Sequence, residues 1–183
     1  MMSAPQSPLT YERLLEMFQR TELMFQETRE QMKETDKKIS ALGSRIGEII
    51  ENMVRGNIVG KFRALNYVVT KYYANAFFDK DELDIHGEID LFLENGDVAI
   101  LVEVKTTLKT EDIRDHIERI EKYRRYTDAN GGDKRHYIGA VAGAVVSKET
   151  IQYAHKNGMY VIVQSGEAVE IITPPEGFQA KEW

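Results

Sequence analysis

The sequence predicts an α/β domain with a mixed β-sheet, joined to a long N-terminal helix. Three observations carry that reading. Apolar residues recur at every seventh position from Tyr11 to Met53. Two apolar runs flank Glu94-Asn95-Gly96-Asp97, a hairpin signal. Downstream, helical and strand patterns alternate, and Ile138 to Val146 reads as a strand buried on both faces. At 183 residues the chain can build one core and carry an appendage.

The N-terminal segment has no glycine before Gly43 and no proline between Pro8 and Pro174. Tyr11, Phe18, Phe25, Met32, Ile39, Ile46 and Met53 form one heptad column. Leu14, Thr21, Thr28, Thr35, Leu42 and Ile49 form the column three residues on. This pattern fits a coiled-coil arm over residues 8-42 that joins copies of the chain, most simply as a homodimer. The other reading is an amphipathic helix lying on its own domain. A helix from Pro8 to Leu42 is about 50 Å long, more than the rest of the chain offers as a flat surface. The three threonines thin the second column and leave strand number and direction open. Residues 1-42 are therefore expected to be the arm and residues 43-183 the α/β domain.

Gly43-Ser44 is expected to interrupt the helix, with a second helix from Ser44 to Leu65. Gly47, Gly56 and Gly60 each weaken that helix by up to ~1 kcal/mol, so close packing or a kink near Gly56 should accompany them. Strands are expected at Tyr67 to Phe78, Gly87 to Leu93 and Val98 to Lys105, with Asn95-Gly96 as a type I′ turn. Thr110 is expected to cap a helix whose inner face carries Ile113, Ile117, Ile120 and Arg124, ending before Asn130-Gly131-Gly132. Gly139 and Gly143 should let a helix approach the strand that carries them. Ser147 caps a short helix that Asn157-Gly158 closes. Tyr160 to Val163 and Ala168 to Ile172 complete the sheet.

Composition narrows the function. Acidic residues number 30 and basic residues 24, a net charge of −6. That excludes a generally cationic nucleic-acid coat but leaves room for a local basic groove. Absence of cysteine removes disulfides, cysteine-based zinc sites, thiol nucleophiles and Fe–S clusters. It fits a reducing compartment, and a cytoplasmic location is expected. The longest uncharged run, His136 to Ser147, is too short to span a bilayer, and the N-terminus lacks a secretory pattern. No membrane partner is expected. The four histidines lack zinc-ligand spacing, Gly139 to Gly143 lacks a phosphate-loop lysine, and no serine has a triad context.

Chemistry concentrates in the hairpin. An Asn95-Gly96 turn sets Leu91 opposite Ile100 and Glu88 opposite Glu103. Opposed residues share a face, as do residues two apart. Glu88, Asp90, Glu103 and Lys105 are then expected on one face, with Asp90 and Glu103 diagonal neighbours about 7–8 Å apart. Glu103 lies within Ala99-Ile100-Leu101-Val102-Glu103-Val104-Lys105, which reads as a buried strand. A buried carboxylate requires compensation. A salt bridge from Lys105 could supply it, and so could a hard cation such as Mg2+ or Mn2+.

Asp90, followed after a hairpin by Glu103-Val104-Lys105, resembles the PD-(D/E)xK nuclease superfamily, although Ile89 stands where the motif has proline. The resemblance covers Gly43 to Ile172. More narrowly, the chain is similar to uncharacterised prokaryotic proteins that join a coiled-coil arm to such a domain. The resemblance implies a restriction-endonuclease-like αβββαβ core and a nuclease that uses Mg2+ or Mn2+ on nucleic acid, DNA being the expected substrate. It implies Asp90 and Glu103 as metal ligands, the Val104 carbonyl as a further ligand, and Lys105 as the residue that orients the attacking water. A glutamate from the first helix would join them, Glu51 in preference to Glu48. The alternative is a catalytically inactive nuclease-fold scaffold or nucleic-acid-binding module. Lys109, Arg119, Lys122 and Arg125 are candidate phosphate contacts, or else a solvated helix face. His116 shares a helix face with Arg119 and is a candidate for supporting the site. Tyr123 and Tyr126 read as helix packing. Trp183 reads as exposed or docked at an interface.

Overall fold

Helix α1 runs without a break from Tyr11 to Arg55 in the computed structural model, which describes residues 10–55, 57–165 and 168–183. The chain divides into two units, Met1–Gly43 and Ser44–Trp183. The expected interruption at Gly43-Ser44 is absent. One glycine costs a helix about 1 kcal/mol, and once nucleated a helix propagates through such a position. A Cβ at Gly43 or Gly47 would meet nothing within 4 Å, so close packing is not what tolerates either glycine. The helical path breaks instead at Asn57, which is left-handed at φ 59°. Its side chain accepts the Gly60 amide at 2.9 Å and starts α2, Ile58–Ala64.

Six strands form one mixed sheet in chain order: β1 Lys71–Lys80, β2 Ile85–Glu94, β3 Val98–Leu108, β4 His136–Val146, β5 Tyr160–Ser165 and β6 Ala168–Ile171. β1, β2 and β3 are antiparallel, β3 to β5 parallel, and β6 antiparallel to β5. β1 starts later than expected because Tyr67 turns inward, its hydroxyl 3.2 Å from that of Tyr160. α3, Thr110–Ala129, and α4, Lys148–Lys156, make the two parallel crossovers. Lys109, not Thr110, is the N-cap of α3, and the Asp112 carboxylate accepts its amide at 2.8 Å. Ser147 caps α4 through the Thr150 amide, and left-handed Gly158 follows its end.

Each face of the sheet has its own apolar layer. On one, Ile49 and Met53 of α1 and Ile58 and Phe62 of α2 cover Leu91, Leu93, Ile100 and Val102. On the other, Ile113 and Ile120 of α3 and Ala154 of α4 cover Ile89, Leu101, Tyr137 and Val141. A Cβ at Gly139 would lie 2.9 Å from Met159 Cε and 3.1 Å from Ile120 Cδ1 of α3, whereas at Gly143 it would meet Val146 and Leu108 and not the helix expected there. Tyr123 and Tyr126 pack against Phe78, ring centroids 5.1 and 5.6 Å away, as helix packing requires. Trp183 docks within the chain, its amide donating to the Tyr137 carbonyl at 3.0 Å.

The β2–β3 hairpin departs from its expected register by two residues. Leu91 pairs with Val102 rather than Ile100, and Glu94 pairs with Ala99. The Asn95 amide donates to the Val98 carbonyl at 2.9 Å, which makes Gly96-Asp97 the two-residue turn. The cause is the Asn95 side chain. Its Oδ1 accepts both the Asp97 and Val98 amides at 2.7 Å, and its Nδ2 donates to the Val68 carbonyl. An Asn side chain that closes the turn removes the need for a type I′ backbone. Gly96 accordingly lies outside the left-handed region.

A second irregularity sits at Asp90. Ile85 and Ile89 belong to the α3-side layer, whereas Leu91 and Leu93 belong to the α1–α2 layer. Strict alternation would keep odd residues on one face. The switch falls where Asn75 of β1, opposite Asp90, is left-handed at φ 53°. Glu88 is exposed and pairs with Phe77, so it does not join Glu103 as expected.

Asn95→Ala should therefore lower stability by about 1–2 kcal/mol through loss of the side-chain hydrogen bonds that close the turn. Gly96→Ala should change it by less than about 0.5 kcal/mol, because a Cβ there meets open space. Urea denaturation of the two variants checks this, and a larger loss at Gly96 would restore the type I′ turn.

Candidate functional site

The site forms where β2 and β3 part. Their paired residues end at Leu91 and Val102. One step further, the Asp90 carboxylate Oδ2 accepts the Val104 amide at 2.7 Å, a side chain standing in for a strand partner. Val104 is buried, and this amide is its contact with the site.

Glu103 is the centre. Its side chain is only 3% exposed, in the middle of the sheet. Lys105 Nζ lies 2.5 Å from Oε1, and Arg119 of α3 pairs with Oε2. Burial works against the Lys105 ammonium, but bonding to Glu103 outweighs it and holds the lysine above its ordinary pKa. Asp90 sits among the same charges. Burial, then the neighbouring Glu103 charge, pushes its carboxyl up to about 6, although the Val104 amide, Lys105 and Arg119 pull the other way.

His116 is fully buried behind Glu103, and burial drives it down to about 4. Its Nε2 is 2.9 Å from the Leu101 carbonyl. A carbonyl only accepts, so Nε2 carries the proton and Nδ1 is bare. Nδ1 stands 3.8 Å from Glu103 Oε2 without a hydrogen-bond partner. The positive charge that answers Glu103 comes from Lys105 and Arg119, not from His116.

Of the sequence candidates, Asp90, Glu103, Val104 and Lys105 come together, and Arg119 joins them as the second cation on Glu103. The sequence offers Arg119 either as a phosphate contact or as part of a solvated helix face, and neither reading pairs it with Glu103. The available signal was helical phase: Arg119 follows the buried His116 by three residues and precedes Ile120. Lys109, Lys122 and Arg125 are exposed. Nearby, Arg124 pairs with Asp128, and Arg135 with Glu94 and Asp133. Glu51 falls within α1, but its side chain lies outside the described residues. Glu48 lines a cavity of about 330 Å³ with Arg45, Thr106, Thr107 and Gln164, beside the C-terminal end of β3. A cleft of about 640 Å³ between α4 and the C-terminal segment includes none of the candidate residues.

Two carboxylates side by side can hold a small divalent cation, which commonly takes one or two protein carboxylates and completes its shell with water. Among the described residues no group of three or more His, Cys, Asp or Glu side chains gathers at one point. Also among them, no helix is long and apolar enough to cross a membrane.

No protein-family model matches the chain, and no curated protein matches it. Among solved structures, a protein of unknown function is similar at 14% identity with a TM-score of 0.41, over 70% of this chain and 62% of that one. This chain thus spans less than two thirds of that protein's length.

Asp90 generates a pH prediction. A carboxyl raised from 3.8 to about 6 binds its proton more tightly in the native state than in the unfolded chain. Its contribution to stability is then fully present below about pH 4 and is lost as pH rises through about 6, by up to about 3 kcal/mol. Asp90→Asn keeps an acceptor for the Val104 amide and carries no charge. Its stability relative to wild type should therefore rise between about pH 4 and 7 in urea melts without divalent cations. A pH-independent difference would refute this assignment.

Arg119→Leu should destabilise by about 2–3 kcal/mol, since it strips a charged partner from a buried carboxylate. Lys122→Ala should stay within about 0.5 kcal/mol in the same melts.

Proposed function

We propose that this chain is a metal-dependent nuclease of the PD-(D/E)xK type, hydrolysing phosphodiester bonds of nucleic acid, with DNA the preferred substrate. The observation that supports it is the convergence of the Asp90 and Glu103 carboxylates with the Lys105 ammonium at the parting of β2 and β3. The order α1, α2, β1, β2, β3, α3, β4 is in keeping with a restriction-endonuclease-like core that has one short added helix.

Asp90 and Glu103 would hold Mg2+ or Mn2+, with the Val104 carbonyl and a glutamate of α1, Glu51 or Glu48, as further ligands. Two neighbouring carboxylates, one of them buried, speak for this, since such oxygens suit a small divalent cation. When bound, such an ion supplies Lewis-acid stabilisation and an activated water. The residues supply position and charge. The Val104 amide fixes Asp90. Arg119 fixes Glu103 from α3. Lys105 orients the attacking water and offsets charge on the phosphate. Lys109, Lys122 and Arg125 offer exposed cations to the backbone of the nucleic acid.

One observation favours a second reading, an inactive nuclease-fold scaffold or nucleic-acid-binding module. Both oxygens of Glu103 are already engaged by Lys105 and Arg119, which compensates the carboxylate without any metal.

Thermal denaturation with and without Mg2+ or Mn2+ separates the two, together with a cleavage panel of linear, branched and single-stranded substrates. The nuclease reading expects a cation-dependent rise in Tm that Asp90→Asn abolishes, and cleavage lost in Asp90→Asn and Lys105→Ala. No rise in Tm and no cleavage of any substrate would leave the scaffold.

A further inference from the structure

We propose that Tyr11–Leu42 pairs antiparallel with the same segment of a second copy of this chain. The starting observation is an apolar stripe left in water. Tyr11 is 78% exposed and Phe25 69%, and Phe18, Met32 and Ile39 are similarly bare. From Ile49 onward the same heptad columns are buried in the sheet domain. A contiguous exposed stripe of this length marks an interaction surface.

The threonines of the second column identify the occupant. Thr21, Thr28 and Thr35 each donate their hydroxyl to the carbonyl four residues back, on Met17, Met24 and Gln31, at 2.8, 2.7 and 2.9 Å. Their polar atoms are thereby satisfied within the helix, and each can offer a methyl group to the seam. The column is apolar after all, but small. The stripe thus has one bulky column, with Phe18, Phe25 and Met32, beside one that is narrow at the same level.

A parallel, in-register pair would set each column against itself. Layers of Phe18 on Phe18 and Phe25 on Phe25 would alternate with layers of threonine on threonine. Overfilled and underfilled layers are both unfavourable. In an antiparallel pair the bulky column faces the narrow one. One alignment then matches the whole segment: Phe25 with the partner's Thr28, Phe18 with its Thr35, and Met32 with its Thr21. The ends close with Tyr11 on Leu42 and Leu14 on Ile39. Every central layer holds one large and one small side chain. The same alignment brings Glu22 beside the partner's Arg29, twice by symmetry. The parallel register sets Glu22 beside Met17 and Arg29 beside Met24, with no opposite charges facing. Complementarity of size and charge is thus self-complementarity under a two-fold axis, which points to a second copy rather than another protein.

The absence of cysteine gives a clean test. Leu14→Cys and Ile39→Cys variants of the full chain, one carrying an affinity tag, are oxidised alone and after mixing. The expected result is a mixed disulfide in the mixture and no self-linked dimer from either variant. In sedimentation equilibrium, Glu22→Arg should weaken the dimer about three- to tenfold through two like-charge pairs, and Glu22→Arg with Arg29→Glu should restore it. Self-linking of Leu14→Cys would establish a parallel pair and overturn the proposal. So would a wild-type chain that remains monomeric at tens of micromolar, or a double charge variant no tighter than Glu22→Arg.

Discussion

A carboxylate in the centre of a β-sheet cannot stand without compensation, and Glu103 is such a carboxylate. Much of the domain can be understood as the means of holding it. Lys105 reaches it from the same strand. Arg119 reaches it from α3, whose distance from the sheet is set by Ile113, Ile120 and the missing side chain at Gly139. His116 closes the space behind it and is held by the Leu101 carbonyl. Asp90 completes the group, its carboxyl raised by burial and by the neighbouring Glu103 charge.

This group was legible from the sequence even though the register was not. The error in the hairpin was two residues, and strands repeat every two. An even slip leaves each side chain of β3 on its expected face, so Glu103 and Lys105 still belong together. Glu88 was misassigned for a different reason. Its placement assumed unbroken alternation along β2, and nothing in Ile89-Asp90-Leu91 announces a change of face. That change depends on the left-handed Asn75 across the ladder, a tertiary effect. Arg119 was missed as a partner because a basic run on a helix resembles a phosphate-binding face until the helix is docked.

The helical part shows where local propensity is weak evidence. Gly43 suggested a stop, yet α1 continues, because one unfavourable residue is outweighed by the turns on either side. Asn57 provides the true stop, through a left-handed backbone and a side chain that caps the next helix. The threonine column shows the same limit of residue type. By residue type it looks polar, but its hydroxyls are spent on the helix backbone.

The change of face at Asp90 alters how β2 bears load. In a regular strand, residues two apart press on the same layer, and a strand buried on both sides divides its duties between odd and even positions. Here Ile89 presses on the α3 layer and Leu91 on the α1–α2 layer. Two adjacent odd positions therefore answer to opposite halves of the domain, with Asp90 as the pivot between them. Repacking either helical layer would shift the backbone on one side of that pivot and turn the carboxylate it carries. The spacing between the acids is thus under the joint control of two cores that share no helix.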